Sequence, residues 1–84
     1  MPHMHYPDGQ MIMLGDHIRI GAHQPGTVVV LLNDNLYASG YSAQEWQSRG
    51  TGLVVNSPST GDVYYRQAEK DFVLVNRAET MNPD

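Results

Sequence analysis

Polar and aliphatic residues alternate along His17-Ile18-Arg19-Ile20, and the alternation then gives way to an unbroken apolar run, Val28-Val29-Val30-Leu31-Leu32. A period of two marks a strand with one buried face. A run apolar at every position marks a strand covered on both faces. Between the two, Pro25-Gly26 fits the centre of a type II turn, whose second position needs a positive φ that glycine adopts without steric cost. The pattern therefore predicts a hairpin. Its second strand, residues 27–32, sends Val28, Val30 and Leu32 to one face and Val29 and Leu31 to the other. An uncovered strand of this kind invites edge-to-edge pairing. Another element of the chain, or a second copy in a homodimer, is expected to lie across it.

The flanking text supplies the other elements. Tyr6-Pro7-Asp8-Gly9 and Gly15-Asp16 carry turn chemistry, and residues 10–14 between them read as a short strand. Residues 33–50 form an insert that opens on Asn33-Asp34-Asn35. Within it, Ser42 and Glu45 have the spacing of a capping box, with Tyr41 and Trp46 placed as a hydrophobic staple. Gly50 fits the residue just past a helix end. A helix of one or two turns is not stable alone, so this one forms only if Trp46 packs on the domain, which makes the insert the predicted cover. Strands follow at 51–56, 62–66 and 71–76, the first two joined by a loop of hairpin length. Residues 1–5 and 80–84 read as flexible tails. Five or six short antiparallel strands, with one helical insert between the third and fourth, predict a small all-β barrel, closure removing its edges.

Composition narrows the function. The 84 residues suffice for a single domain spanning the chain, and one this small buries only roughly 60% of its unfolded surface. There are no cysteines, so neither disulfides nor thiolate-bound metal are expected. That usage, with no signal-peptide pattern and no apolar run approaching a membrane span, predicts a cytoplasmic protein. The net charge is −4, and Arg19, Arg49, Arg66, Lys70 and Arg77 are scattered, which argues against a phosphate-binding surface. His3, His5, His17 and His23 fall in no catalytic signature, and His3 with His5 is too little for a closed metal site. Asp16, Asp34, Asp62, Glu69 and Asp71 stand mostly at turns or strand starts, where backbone hydrogen bonds account for them. A non-enzymatic chain without cofactors is the expectation.

The insert is the expected working surface, because binding residues concentrate on loops carried by a rigid scaffold. Tyr, Trp and Arg dominate the energetic centres of protein interfaces. The candidate partner-binding residues are Asp34, Tyr37, Tyr41, Glu45, Trp46 and Arg49, with Tyr64 from a neighbouring strand. Trp46 also reads as the lid of a small core, with Tyr41 stapled to it, which makes Asp34, Tyr37, Glu45 and Arg49 the better functional candidates.

The segments Gly15-Asp16-His17-Ile18-Arg19-Ile20 and Gly26-Thr27-Val28-Val29-Val30 resemble SH3-like barrels of the KOW type, in the positions of Gly15, Asp16, Ile18, Ile20, Gly26 and Val28. KOW modules that bind RNA or polymerase usually carry Lys or Arg near the hairpin loop, where this chain has Gly21-Ala22-His23-Gln24-Pro25. A longer series resembles small bacterial SH3-like barrel proteins of toxin-immunity loci: Tyr6-Pro7-Asp8-Gly9, Leu14-Gly15-Asp16, Gly26-Thr27-Val28-Val29, Gly40-Tyr41, Gln44-Glu45-Trp46, Gly52-Leu53-Val54-Val55, then Phe72 and Leu74. That resemblance implies an immunity protein that binds and blocks a cognate toxin with a basic surface. The KOW likeness implies, as the alternative, an RNA- or transcription-complex accessory protein. Neither brings catalytic residues.

Overall fold

In a computed structural model, which describes residues 4–77, the chain forms six antiparallel strands and one short helix. In chain order these are β1 (His17–Ile20), β2 (Gln24–Leu31), β3 (Leu36–Tyr37), α1 (Ala43–Trp46), β4 (Leu53–Ser57), β5 (Gly61–Tyr65) and β6 (Phe72–Asn76). The sheet runs β5-β4-β2-β1-β6, with β3 added beside the end of β2. The architecture is the small all-β domain that the alternation predicts, with its helix between β3 and β4. The predicted closure is not made by strand pairing: β5 and β6 remain the ends of an open sheet.

Several local expectations are corrected. Pro25 and Gly26 lie inside β2, opposite Arg19 and Ile18, and the hairpin turns instead at residues 21–23, with Gly21 at φ +63°. Gly26 is needed for space, not for a turn: a Cβ there would stand 2.6 Å from the Val55 side chain and 3.3 Å from that of Ile20. Pro25 precedes Thr27, where the pairing with β4 begins, so its missing N–H takes nothing from that ladder. Residues 10–14 are not a strand, and only Met11 makes an isolated bridge, to His5. The sixth strand is instead β3, within the insert. Of the expected N-terminal tail, Met4 packs against the core and accepts a 2.9 Å hydrogen bond from the Ile12 amide. His3 and residues 80–84 lie outside the described residues.

The faces of β2 also differ from simple alternation. Val28 pairs with Val55 and Val30 with Val54, so Val29 is an extra residue, a β-bulge. Past the bulge the side chains change sides. Val28 and Leu31 enter the main core with Tyr6, Ile12, Ile18, Leu53, Val55 and Phe72. Val29, Val30 and Leu32 join Val54 in a second cluster beneath the insert. β2 is thus covered on both faces, as a strand apolar at every position requires.

One carboxylate ties the main core together. Asp16 is fully buried and accepts hydrogen bonds from the Tyr6 hydroxyl at 2.6 Å, the Met13 amide at 2.9 Å and Arg77 Nη1 at 2.9 Å. Arg77 Nη1 also reaches the Met11 carbonyl at 2.9 Å. Because the Met13 amide turns inward to this carboxylate, residues 10–14 wrap around it and cannot extend as a strand. The backbone of Asp16 continues the ladder, its carbonyl accepting from the Val28 amide at 3.0 Å. A buried carboxylate is tolerated only when donors surround it. Removing it leaves those donors unmatched, although Arg77, 37% exposed, is partly screened by water.

Burial, then the hydrogen bond to Asp16, then the Asp16 charge itself push the Tyr6 hydroxyl well above its ordinary pKa. The folded state thus favours the protonated phenol. Its contribution is complete below the unfolded pKa of about 10 and declines as pH rises beyond it. Urea denaturation is expected to show a loss of about 3 kcal/mol for Asp16→Ala and about 1 kcal/mol for Tyr6→Phe at neutral pH. Between pH 9 and 11.5, stability is expected to fall less steeply in Tyr6→Phe than in wild type (pH range set by the reference tyrosine value, about 10).

Candidate functional site

The insert is pinned to the sheet at its base. The Leu32 amide donates to the Gly52 carbonyl at 2.9 Å, and the Gly52 amide donates to Asn33 Oδ1 at 2.9 Å. Asn35, at φ +58°, ends the 3₁₀ turn Leu32–Asp34, a conformation that asparagine tolerates better than most residues. The chain then returns as β3, placing Tyr37 opposite Val30 and Leu36 opposite Leu31. Beyond it, the Ala38 amide donates to the carbonyl of the bulged Val29 at 2.8 Å. The bulge thus supplies the acceptor that holds the insert down.

Ser42 does stand at the N-cap of α1, but its side chain makes no capping bond, so the predicted box with Glu45 is not formed. A 3₁₀ turn, Gln47–Arg49, continues the helix to Gly50 at φ +85°. No residue of Ala43–Arg49 is buried. What holds the helix is side chains: Tyr37, Ala38, Tyr41, Trp46 and Tyr64 pack over Val29, Val30, Leu32 and Val54.

On the outside of this layer the Arg49 guanidinium lies 5.2 Å from the Trp46 ring centroid and 5.0 Å from that of Tyr64. Two aromatic faces presented to one cation stabilise its position by about 0.5–1 kcal/mol each at an exposed site. Tyr64 is itself anchored, its hydroxyl donating to the Thr51 carbonyl at 2.5 Å. It packs so close to Gly52 that a Cβ there, at φ +121°, would sit 2.8 Å from the Tyr64 ring and run into the Tyr65 carbonyl. At the neighbouring corner the Tyr41 hydroxyl donates to Asp62 Oδ1 at 2.7 Å, which also accepts from Asn56 Nδ2 at 2.8 Å. The bond to Asp62 raises the Tyr41 pKa.

Five of the seven candidates, Tyr37, Tyr41, Trp46, Arg49 and Tyr64, are therefore gathered on one surface. Trp46 serves both readings, covering the second cluster and facing Arg49. Glu45 is exposed on α1, outside the stack. Asp34 lies elsewhere, at an apolar cleft with Met11, Met13 and Leu36. Asp62 and Asn56 were not among the candidates. The signal was present in the hairpin: pairing the strands across residues 57–61 sets Asn56 opposite Asp62, directly beneath Tyr41.

Among the described residues no three His, Cys, Asp or Glu side chains gather to hold a metal ion, and no helix is long and apolar enough to cross a membrane. Comparison with protein-family models, curated proteins and solved structures finds no match to the chain. The class that fold and site define is a small all-β domain carrying an aromatic surface with one stacked arginine.

Arg49→Ala is expected to cost about 1–2 kcal/mol in urea unfolding, the sum of its two ring contacts, and to change the emission of Trp46, the chain's single tryptophan. Gly52→Ala is expected to cost about 2 kcal/mol or more, because it combines a positive φ with a backbone clash, and to shift the same emission by displacing Tyr64.

Proposed function

We propose that this chain is a non-enzymatic protein-binding module whose partner docks on the insert, and that it is an immunity protein neutralising a cognate toxin. The observation that carries this reading is the Arg49 guanidinium set against Trp46 and Tyr64 on a helical turn with no buried residue. These three residue types supply most interface hot spots. The turn is carried on a rigid sheet and bound to it by side chains alone, so it can adjust to a partner without disturbing the fold. A net charge of −4, with Asp62 at the neighbouring corner under Tyr41, complements a basic partner and speeds its approach.

The same reading takes the fold as an SH3-like barrel of the bacterial toxin-immunity kind. Its support is the bent β2 serving two cores and the Gly15-Asp16 entry to β1. RNA binding has less support. Arg77 is engaged by Asp16 and Arg49 by the two rings, which leaves Arg19 on β1 and Arg66 and Lys70 in the connection between β5 and β6.

The test is affinity capture from cells of the source organism with wild type and Arg49→Glu, an exposed substitution that leaves the cores intact. A protein recovered by wild type and reduced about tenfold by the variant is expected, as loss of a hot-spot arginine commonly does. Expressed alone that protein is expected to arrest growth, and co-expression of this chain to relieve the arrest. Equal recovery by both baits overturns the docking face, and a harmless partner overturns the immunity role. A nucleic-acid mobility shift that weakens steeply with salt overturns both.

A further inference from the structure

The insert is tied to the sheet at its base and loosely above it. Among the described residues, the backbone of residues 41–49 hydrogen-bonds only within residues 38–51. Leu32, Asn33 and Ala38, by contrast, are bonded to Gly52 and Val29. A glycine stands at each end of the loose span. Gly40 has φ +90° and Gly50 φ +85°, and nothing lies within 4 Å of where a Cβ would stand at either. Neither position is packed in place. Beneath the span there is a mismatch. Trp46 Nε1 and the Tyr37 hydroxyl are buried without a hydrogen-bond partner, two of the three such side-chain atoms among the described residues. Native interiors leave few polar groups in that condition. These two belong to side chains packed over one cluster, that of Val29, Val30, Leu32 and Val54.

We propose that residues 41–49 are a lid that swings about Gly40 and Gly50. Closed, it covers the cluster and leaves the indole N–H and the Tyr37 hydroxyl unpaired. Open, it lets both groups reach water and uncovers Val29, Val30, Leu32 and Val54. Burial of the Tyr41 and Trp46 rings favours closure, and the two unmatched polar groups oppose it. One hydrogen bond latches the closed state, from the Tyr41 hydroxyl to Asp62 Oδ1 on β5 at 2.7 Å. Arg49 over the Tyr64 ring is a second side-chain tie. The bonds at Leu32, Asn33 and Ala38 hold the base throughout, so opening is local. Trp46 and Arg49 ride on the lid while Tyr64 stays on β5, so their stack exists only when the lid is closed. For the docking proposed above, the closed fraction then scales the partner's apparent affinity. The lid itself does not rest on that reading.

The test is native-state hydrogen exchange of the full chain by NMR, with no partner present. The indole N–H of Trp46 gives a single signal, because the chain has one tryptophan, and the β4 amides serve as the reference. The indole is expected to exchange well before the slowest β4 amides and with little dependence on urea, as local opening does. Tyr41→Phe, which removes the latch and keeps the ring, is expected to speed indole exchange about fivefold, as loss of one hydrogen bond does. Tyr37→Phe, which removes the unpaired hydroxyl and keeps the ring, is expected to slow it by a similar factor. Tyr6→Phe lies in the main core, which stays intact when the lid opens. It is expected to speed the slowest β4 amides and to leave the indole unchanged. An indole that keeps pace with those amides, or that speeds up in Tyr6→Phe, makes the insert part of the global unit and overturns the lid. Faster indole exchange in Tyr37→Phe also overturns it, because that hydroxyl then has a partner in the closed state. No partner enters the measurement, so the lid and the docking surface succeed or fail separately.

Discussion

A carboxylate shut away from water must find its donors within the chain, and Asp16 finds them in three separate places. Tyr6 comes from the N-terminal turn, Met13 from the bend before β1, and Arg77 from the end of β6. The Asp16–Arg77 contact joins residues 61 positions apart, and it sets the last strand beside the first. In an open sheet of short strands, with no disulfide and two apolar clusters of modest size, this junction reinforces one end. It ties the N-terminal turn and the bend before β1 to the end of β6. The apolar packing of Ile12, Ile18 and Phe72 depends on the three stretches that Asp16 gathers.

The bulge at Val29 is the second organising feature, and it follows from what β2 must cover. A strict alternation would send equal shares of the strand to each side. The extra residue lets Val28 and Leu31 serve the main core while Val29, Val30 and Leu32 serve the insert. It also turns the Val29 carbonyl toward Ala38. A single irregularity thus divides one apolar run between two cores and anchors the segment that covers the second.

Much of this was legible in the order of residues. Period-two alternation located β1, β4, β5 and β6 to within two residues, and the run at 28–32 required a cover that the insert provides. Tyr41, Trp46, Arg49 and Tyr64 were recognisable from residue type and placement. The failures share a physical cause, which is that local chemistry has more than one use. Pro25-Gly26 has turn chemistry, but Gly26 is there for the contact with Val55 that only tertiary packing reveals. Gly15-Asp16 reads as a turn, and it is one, yet Asp16 also receives Arg77, which no local pattern announces. Residues 10–14 read as a short strand between two turns, with Met11 and Met13 on one face and Ile12 and Leu14 on the other, a reading overridden when the Met13 amide bonds to Asp16. Asp34 falls outside the aromatic surface because it precedes β3 and lines the cleft with Met11, Met13 and Leu36, and Glu45 is exposed on α1 outside the stack.

The bonds at the base of the insert have a consequence for how such a protein changes over generations. Leu32 and Gly52 meet backbone to backbone, so the segment between them leaves the sheet and returns to it at nearly one point. For a loop so closed, the entropy of closure rises only slowly with length, by about 0.6 kcal/mol for each doubling. The segment can therefore change length between those two points while the Asp16 junction stays as it is. What it must keep is the cover that Tyr37, Ala38, Tyr41 and Trp46 give Val29, Val30, Leu32 and Val54.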